Sequence, residues 1–144
     1  MRPGHWVPPT LWMALILLLS TDVGSAQHTG RILEPLLRWL IPGITPAQLA
    51  ATHAVVRKAA HFTEYAVLAL LWARALALGR GLGPAASTTG AVVISLAWAM
   101  LDEAHQSFVP TRSPSLADVG VDALGAMIAA GLRVVGGRRL TRRV

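Results

Sequence analysis

Groups that can hold an anion or move a proton cluster in three short stretches of this chain. Arg57, Lys58, His61, Glu64 and Tyr65 form the first, and Asp102, Glu103, His105 and Gln106 the second. Asp118 and Asp122 form the third, and Arg112 lies in the segment before it. At about 100° per residue the first five side chains share an arc of about 120°, one polar stripe of a helix. Glu64 stands six residues, or about 9 Å of helix rise, beyond Lys58. Asp102, His105 and Gln106 share one helical face, with Glu103 at its margin. Asp118 and Asp122 are spaced i, i+4, and Gly125 and Ala129 continue their face, which a neighbouring helix can therefore approach closely.

These residue types point to acid–base chemistry on an anionic substrate. Imidazole titrates near neutral pH, so His61 and His105, with Glu64, Asp102 and Glu103, are the candidate catalytic groups. Arg57, Lys58 and Arg112 are the candidate anion-binding groups, since a guanidinium grips a phosphate with two parallel donors. Tyr65, Gln106, Asp118 and Asp122 are supporting residues. No nucleophile stands out, because Ser107 and Ser115 read as ordinary loop residues, so whether the chain is an enzyme stays open. A second reading stands beside the first: Lys58 or Arg57 with Glu64, and Arg112 with Asp102 or Asp118, form ion pairs that only fasten helix ends. Removing one partner of a buried pair costs about 3–5 kcal/mol, which is reason enough for such residues. His61-x-x-Glu64 and Asp102-x-x-His105 each place two ligand types at i, i+3. Three adjacent cations count against a divalent ion, however, and no metal or cofactor is expected.

The elements that must position these groups are membrane helices. Of 144 residues, 53% are hydrophobic and only 14% charged, against about 25% charged in an average soluble domain. The mean hydropathy is +0.52. Such apolar content excludes disorder, and the absence of cysteine excludes a disulfide scaffold. Thirteen bases against seven acids could suggest nucleic acid, but the bases are not interleaved with aromatics. Five of them, Arg133, Arg138, Arg139, Arg142 and Arg143, crowd the C-terminal end as a juxtamembrane anchor would. Nucleic acid is therefore not an expected partner; membrane lipid is.

Four apolar segments, about 6–23, 59–79, 85–101 and 119–135, approach the ~20 residues of a spanning helix. The first also reads as a signal peptide ending at Gly24-Ser25-Ala26; a retained helix is preferred. Between the first two, residues 31–40 set Arg31, Glu34 and Arg38 against Ile32, Leu33, Leu36, Leu37 and Leu40, the pattern of a helix lying in the membrane interface. Pro35 is taken as tolerated in its first turn. The chain thus divides into a first transmembrane helix (1–26), an extracytoplasmic loop with an interfacial helix (27–56), a three-helix core (57–135) and a basic cytoplasmic tail (136–144). The expected fold is an all-α, multi-pass four-helix bundle of the cell membrane. Trp6, Trp12 and Trp39 are expected as interface anchors, Trp72 and Trp98 as packing residues, and His5, His28 and His53 as solvated.

With both termini inside, Arg2, Arg74, Arg80 and the five C-terminal arginines are cytoplasmic, leaving Arg31, Arg38, Arg57, Lys58 and Arg112 outside. The positive-inside rule favours this orientation, and all seven acids then fall in the outer half. Charges in a bilayer are costly, so the three polar stripes are expected to face one another around an outward-opening pocket.

Two of these stretches also carry a resemblance. Arg57-Lys58-Ala59-Ala60-His61-Phe62-Thr63-Glu64-Tyr65 resembles the signature of the VanZ-like family. So does the run from Asp102-Glu103-Ala104-His105-Gln106-Ser107-Phe108-Val109-Pro110-Thr111-Arg112 through Ser115 to Asp118-Val119. The order and spacing match over about residues 50–130, and Leu19-Ser20-Thr21 is similar to the end of the family's first helix. The chain has Thr111 where the family more often has Gly, and Asp122 where it commonly has Asn. The resemblance implies a small four-helix protein of the cell envelope. It also implies a role like that of the family's namesake, which lowers sensitivity to the lipoglycopeptide antibiotic teicoplanin. Its implied partners are a lipoglycopeptide or an anionic lipid-linked envelope substrate.

Overall fold

Most large apolar side chains point outward, and small ones fill most of the interior. The computed structural model describes residues 3–110, 112 and 114–141; Arg2, Thr111, Arg142 and Arg143 lie outside the described residues. Five α-helices follow one another: α1 (Val7–Leu19), α2 (Ala26–Leu40), α3 (Pro46–Arg80), α4 (Pro84–Gln106) and α5 (Leu116–Thr141), with no strand among the described residues. Helices α3, α4 and α5 pack against one another, and α1 lies on α3 with lighter contact to α4.

The buried positions are mostly Ala and Ser: Ala69, Ala73 and Ala75 of α3, Ser87, Ala91, Ser95 and Ala99 of α4, and Ala126, Ala129 and Ala130 of α5. Leu70, Leu78, Val93, Met100, Leu101, Leu124, Met127 and Leu132 are exposed. In water this inversion would leave a large apolar surface uncovered. In lipid it is the expected arrangement, because helices there associate through close backbone approach at small residues. Gly125 marks the tightest place, where an added Cβ would lie 2.2 Å from the Phe62 carbonyl oxygen. The close approach expected along the Asp118–Gly125 face is thus made by α3.

Three helices, α3, α4 and α5, are long and apolar enough to cross a membrane. The first expected span is shorter than its hydrophobic run. α1 has 13 residues, about 20 Å, and ends at Ser20 and a 3₁₀ turn, Asp22–Gly24. It makes a fourth span only when counted with Asp22–Leu40 across a bend of 71°. The physical cause of the break is local hydrogen bonding: Thr21 Oγ1 turns back to the Leu18 carbonyl and also accepts from the Val23 N–H.

Two further boundaries differ from expectation. α2 begins at Ala26, capped by Ser25, so Pro35 sits in its interior, where it removes a helical donor, and not in its first turn. The amphipathic contrast survives, with Arg38 bonded to Glu34 at 2.8 Å and Ile32, Leu36, Trp39 and Leu40 exposed. α3 begins at Pro46, eleven residues before the expected core boundary at 57. Thr45 and Gln48 form a reciprocal capping box and Pro46 occupies the first turn, features that start a helix. With 35 residues, α3 is about 52 Å long, well beyond the ~30 Å hydrocarbon core.

Candidate functional site

Alternation of α3, α4 and α5 brings residues 57–65, the C-terminal turns of α4 and the first turns of α5 to one end of the bundle. Of the five carboxylates there, four have a cross-helix or loop partner, and Glu64 has none among the described residues. Asp118 is held by Arg57 at 3.0 Å and Lys58 at 3.1 Å. Asp122, fully buried, meets His61 Nδ1 at 3.1 Å. Asp102 accepts from Ser20 Oγ of the segment after α1 at 2.5 Å and from Gln106 at 3.3 Å. Glu103 accepts the Ser115 backbone N–H at 2.6 Å.

These pairings differ from those expected. Lys58 and Arg57 do not bond Glu64, because six residues of helix rise separate Lys58 from it and Asp118 of α5 stands closer. Arg112 pairs with neither Asp102 nor Asp118; its Nε donates to the Thr21 carbonyl at 3.2 Å and its Nη2 to that of Leu19. It therefore clasps the C-terminal end of α1, where free carbonyls attract a cation. Burial lowers the Arg112 guanidinium from its ordinary value and the nearby Arg57 cation adds to the effect, against the pull of Asp102, Glu64 and Glu103.

A cavity of about 650 Å³ opens between the end of α1, α2 and the first half of α3. Its walls are largely apolar, including Leu19, Leu33, Ala50, Ala54 and Val56, and its polar groups include Arg57, His61, Glu64, Arg112, Ser20 and His53. The volume falls within the ~300–1,000 Å³ usual for ligand pockets. Arg57 Nε is buried here without a hydrogen-bond partner among the described residues.

The expected site residues thus separate into tiers. Arg57, His61, Glu64 and Arg112 line the cavity. Asp102, Glu103, Asp118 and Asp122 form a buried carboxylate tier, with the Gln106 amide buried beside Asp102. Lys58 is half exposed on Asp118. Tyr65 is buried in the apolar cluster with Ile16, Leu68 and Ala99, and His105 lines neither the cavity nor the closest carboxylate group.

Sequence reasoning missed four contributors. Ser20 was visible only as part of a motif, and the Ser115 N–H has no signature in sequence. His53, expected to be solvated, lines the cavity because α3 starts early; the Thr45–Gln48 capping box was the available signal. Trp12, expected as an interface anchor, donates to the Glu64 backbone carbonyl at 2.9 Å and fastens α1 to α3.

Fold and site together define an all-helical protein with three helices compatible with a membrane and an ionisable cluster at one end. The family model VanZ/LLP1 matches residues 6–136, nearly the whole chain. The chain belongs to that family, and the match takes in α1 and α2 as well as the region carrying the two motifs. No curated protein and no solved structure is significantly similar to it.

Proposed function

We propose that this protein is a multi-pass cell-membrane protein that holds the anionic head group of an envelope lipid, or of a lipid-linked envelope substrate, in the α1–α3 cavity. In doing so it lowers sensitivity to lipoglycopeptides such as teicoplanin. The observation that carries the reading is the cavity's composition: apolar walls suited to acyl chains meet two guanidiniums, those of Arg57 and Arg112. Guanidinium pairs recognise phosphate oxygens in a planar, directed way. Glu64 and His61 on the same wall are the groups that would exchange a proton with a bound substrate, should the site do chemistry.

A second reading is favoured by the cross-helix pairs themselves. Arg57 and Lys58 on Asp118, His61 on Asp122 and Ser20 on Asp102 tie four segments together without any ligand. One experiment separates the two readings. Wild type, Arg57→Gln and Glu64→Gln are expressed in a teicoplanin-sensitive host, and susceptibility is read together with membrane abundance. The lipid reading expects wild type to protect and both variants to lose protection at unchanged abundance. Protection and abundance falling together supports the fastening role. No protection by an abundant wild type overturns the antibiotic role.

A further inference from the structure

Next to the cavity, one group from each of the three core helices converges on a single point. His61 of α3, Glu103 of α4 and Asp122 of α5 each present a ligand-type atom, all within 4.8 Å of one another. Their exposures are 7%, 7% and 0%, so water cannot freely solvate the charges they carry. Each carboxylate is fixed by one oxygen only. Glu103 Oε2 is bound by the Ser115 N–H and Asp122 Oδ1 by His61. Glu103 Oε1 and Asp122 Oδ2 are buried without a partner among the described residues. Buried acceptors in that state are rare, because each carries its full desolvation penalty.

The fixed cations nearby do not relieve them. Arg57 and Lys58 bond Asp118, and Arg112 bonds the Leu19 and Thr21 carbonyls. Two carboxylates and a neutral imidazole sum to the charge that a divalent ion cancels. Ligands about 2.0–2.2 Å from a metal stand roughly 3–4 Å apart in tetrahedral or octahedral geometry, which small side-chain rotations reach from the present spacing. One nitrogen with two oxygens, and no thiolate in a chain without cysteine, suits Zn²⁺ or Mn²⁺ better than the all-oxygen preference of Mg²⁺ or Ca²⁺.

We propose that His61, Glu103 and Asp122 form a binding site for one divalent ion of the Zn²⁺ or Mn²⁺ type, bridging the three core helices beside the cavity. Three protein ligands leave at least one position for water or substrate. His61 belongs both to this site and to the cavity wall, so the ion would stand where the cavity's contents can meet it. The proposal concerns ion binding alone and does not depend on the lipid reading.

The test uses the full chain, purified in detergent without a polyhistidine tag, stripped with chelator and dialysed against Zn²⁺ or, separately, Mn²⁺. Elemental analysis is expected to find about one ion per chain in wild type and in Glu34→Gln, which alters only the exposed α2 pair. Glu103→Gln and Asp122→Asn are expected to weaken binding at least ~10-fold, the lower end of what even an outer-shell change costs. Less than about a tenth of an ion per wild-type chain, or full occupancy retained by both variants, overturns the proposal. Should the variants fail to accumulate, wild type decides alone. A melting temperature raised by either ion and lowered again by chelator supports the site, and one that neither ion moves overturns it.

Discussion

At the scale of single residues, Arg112 does the work of a clasp. Its fork reaches two carbonyls at the end of α1, and Gly24 leaves room for it: an added Cβ there would lie 2.7 Å from Arg112 Nη2. A lysine ammonium is a point charge that cannot span both acceptors as a planar fork does. Arg112→Lys is therefore expected to cost about 1.5–3 kcal/mol, the usual worth of a charged hydrogen bond. Thermal unfolding in detergent would read the loss, with faster limited proteolysis of the 20–25 turn as its local signature. Unchanged stability and unchanged proteolysis would refute the clasp. The level of the charges along their helices was legible in the sequence, but their partners were not. Spacing alone puts Lys58 and Glu64 on one stripe, yet only the packing of α5 brings Asp118 to Arg57 and Lys58. Arg112 finds backbone carbonyls, and a carbonyl is the same in every residue.

At the scale of elements, the α3–α5 contact sets the site. Gly125 lies three residues beyond Asp122, and an added Cβ there would meet backbone atoms of Phe62, beside His61, at 2.2, 3.0 and 3.2 Å. Backbone cannot rotate away as a side chain can, so Gly125→Val must push the helices apart and open the His61–Asp122 contact. Overpacking of this kind costs about 1–3 kcal/mol, occasionally more. The variant is expected to lose membrane abundance and melting temperature, whereas Gly120→Ala, with nothing within 4 Å of its added Cβ, should be neutral or slightly stabilising. Equal behaviour of the two variants would show that the close approach does not limit packing. The three core helices were readable because each carries a long apolar run. The ends of elements were not: hydropathy extends α1 through Ser20-Thr21-Asp22, where side-chain bonds to the backbone stop it. It also does not mark residues 46–56 as the first turns of α3, which the Thr45–Gln48 capping box does show.

At the scale of the whole molecule, the question is which side of the membrane the site faces. The end carrying residues 57–65, 102–106 and 118–122 holds most of the acids, while Arg74, Arg80 and Arg133 lie toward the other end. Arg133 there donates to the hydroxyls of Ser87 and Thr88, and Arg80 stands 5.9 Å from the Trp6 ring. Basic residues flanking spans are retained in the cytoplasm, so the Arg80 end is expected inside and the cavity outside, where envelope lipids and lipoglycopeptides are met. The chain has no cysteine, so a single introduced thiol reports its own side without background. Pro110 and Leu82 are exposed just beyond opposite ends of α4. Pro110→Cys is expected to react with an impermeant maleimide in intact cells, and Leu82→Cys only after permeabilisation. The reverse pattern would turn the cavity to the cytoplasm. There it could meet neither teicoplanin nor the outer leaflet, and the proposed role would fall with the orientation, while the ion site, which depends only on the packing of α3, α4 and α5, would remain.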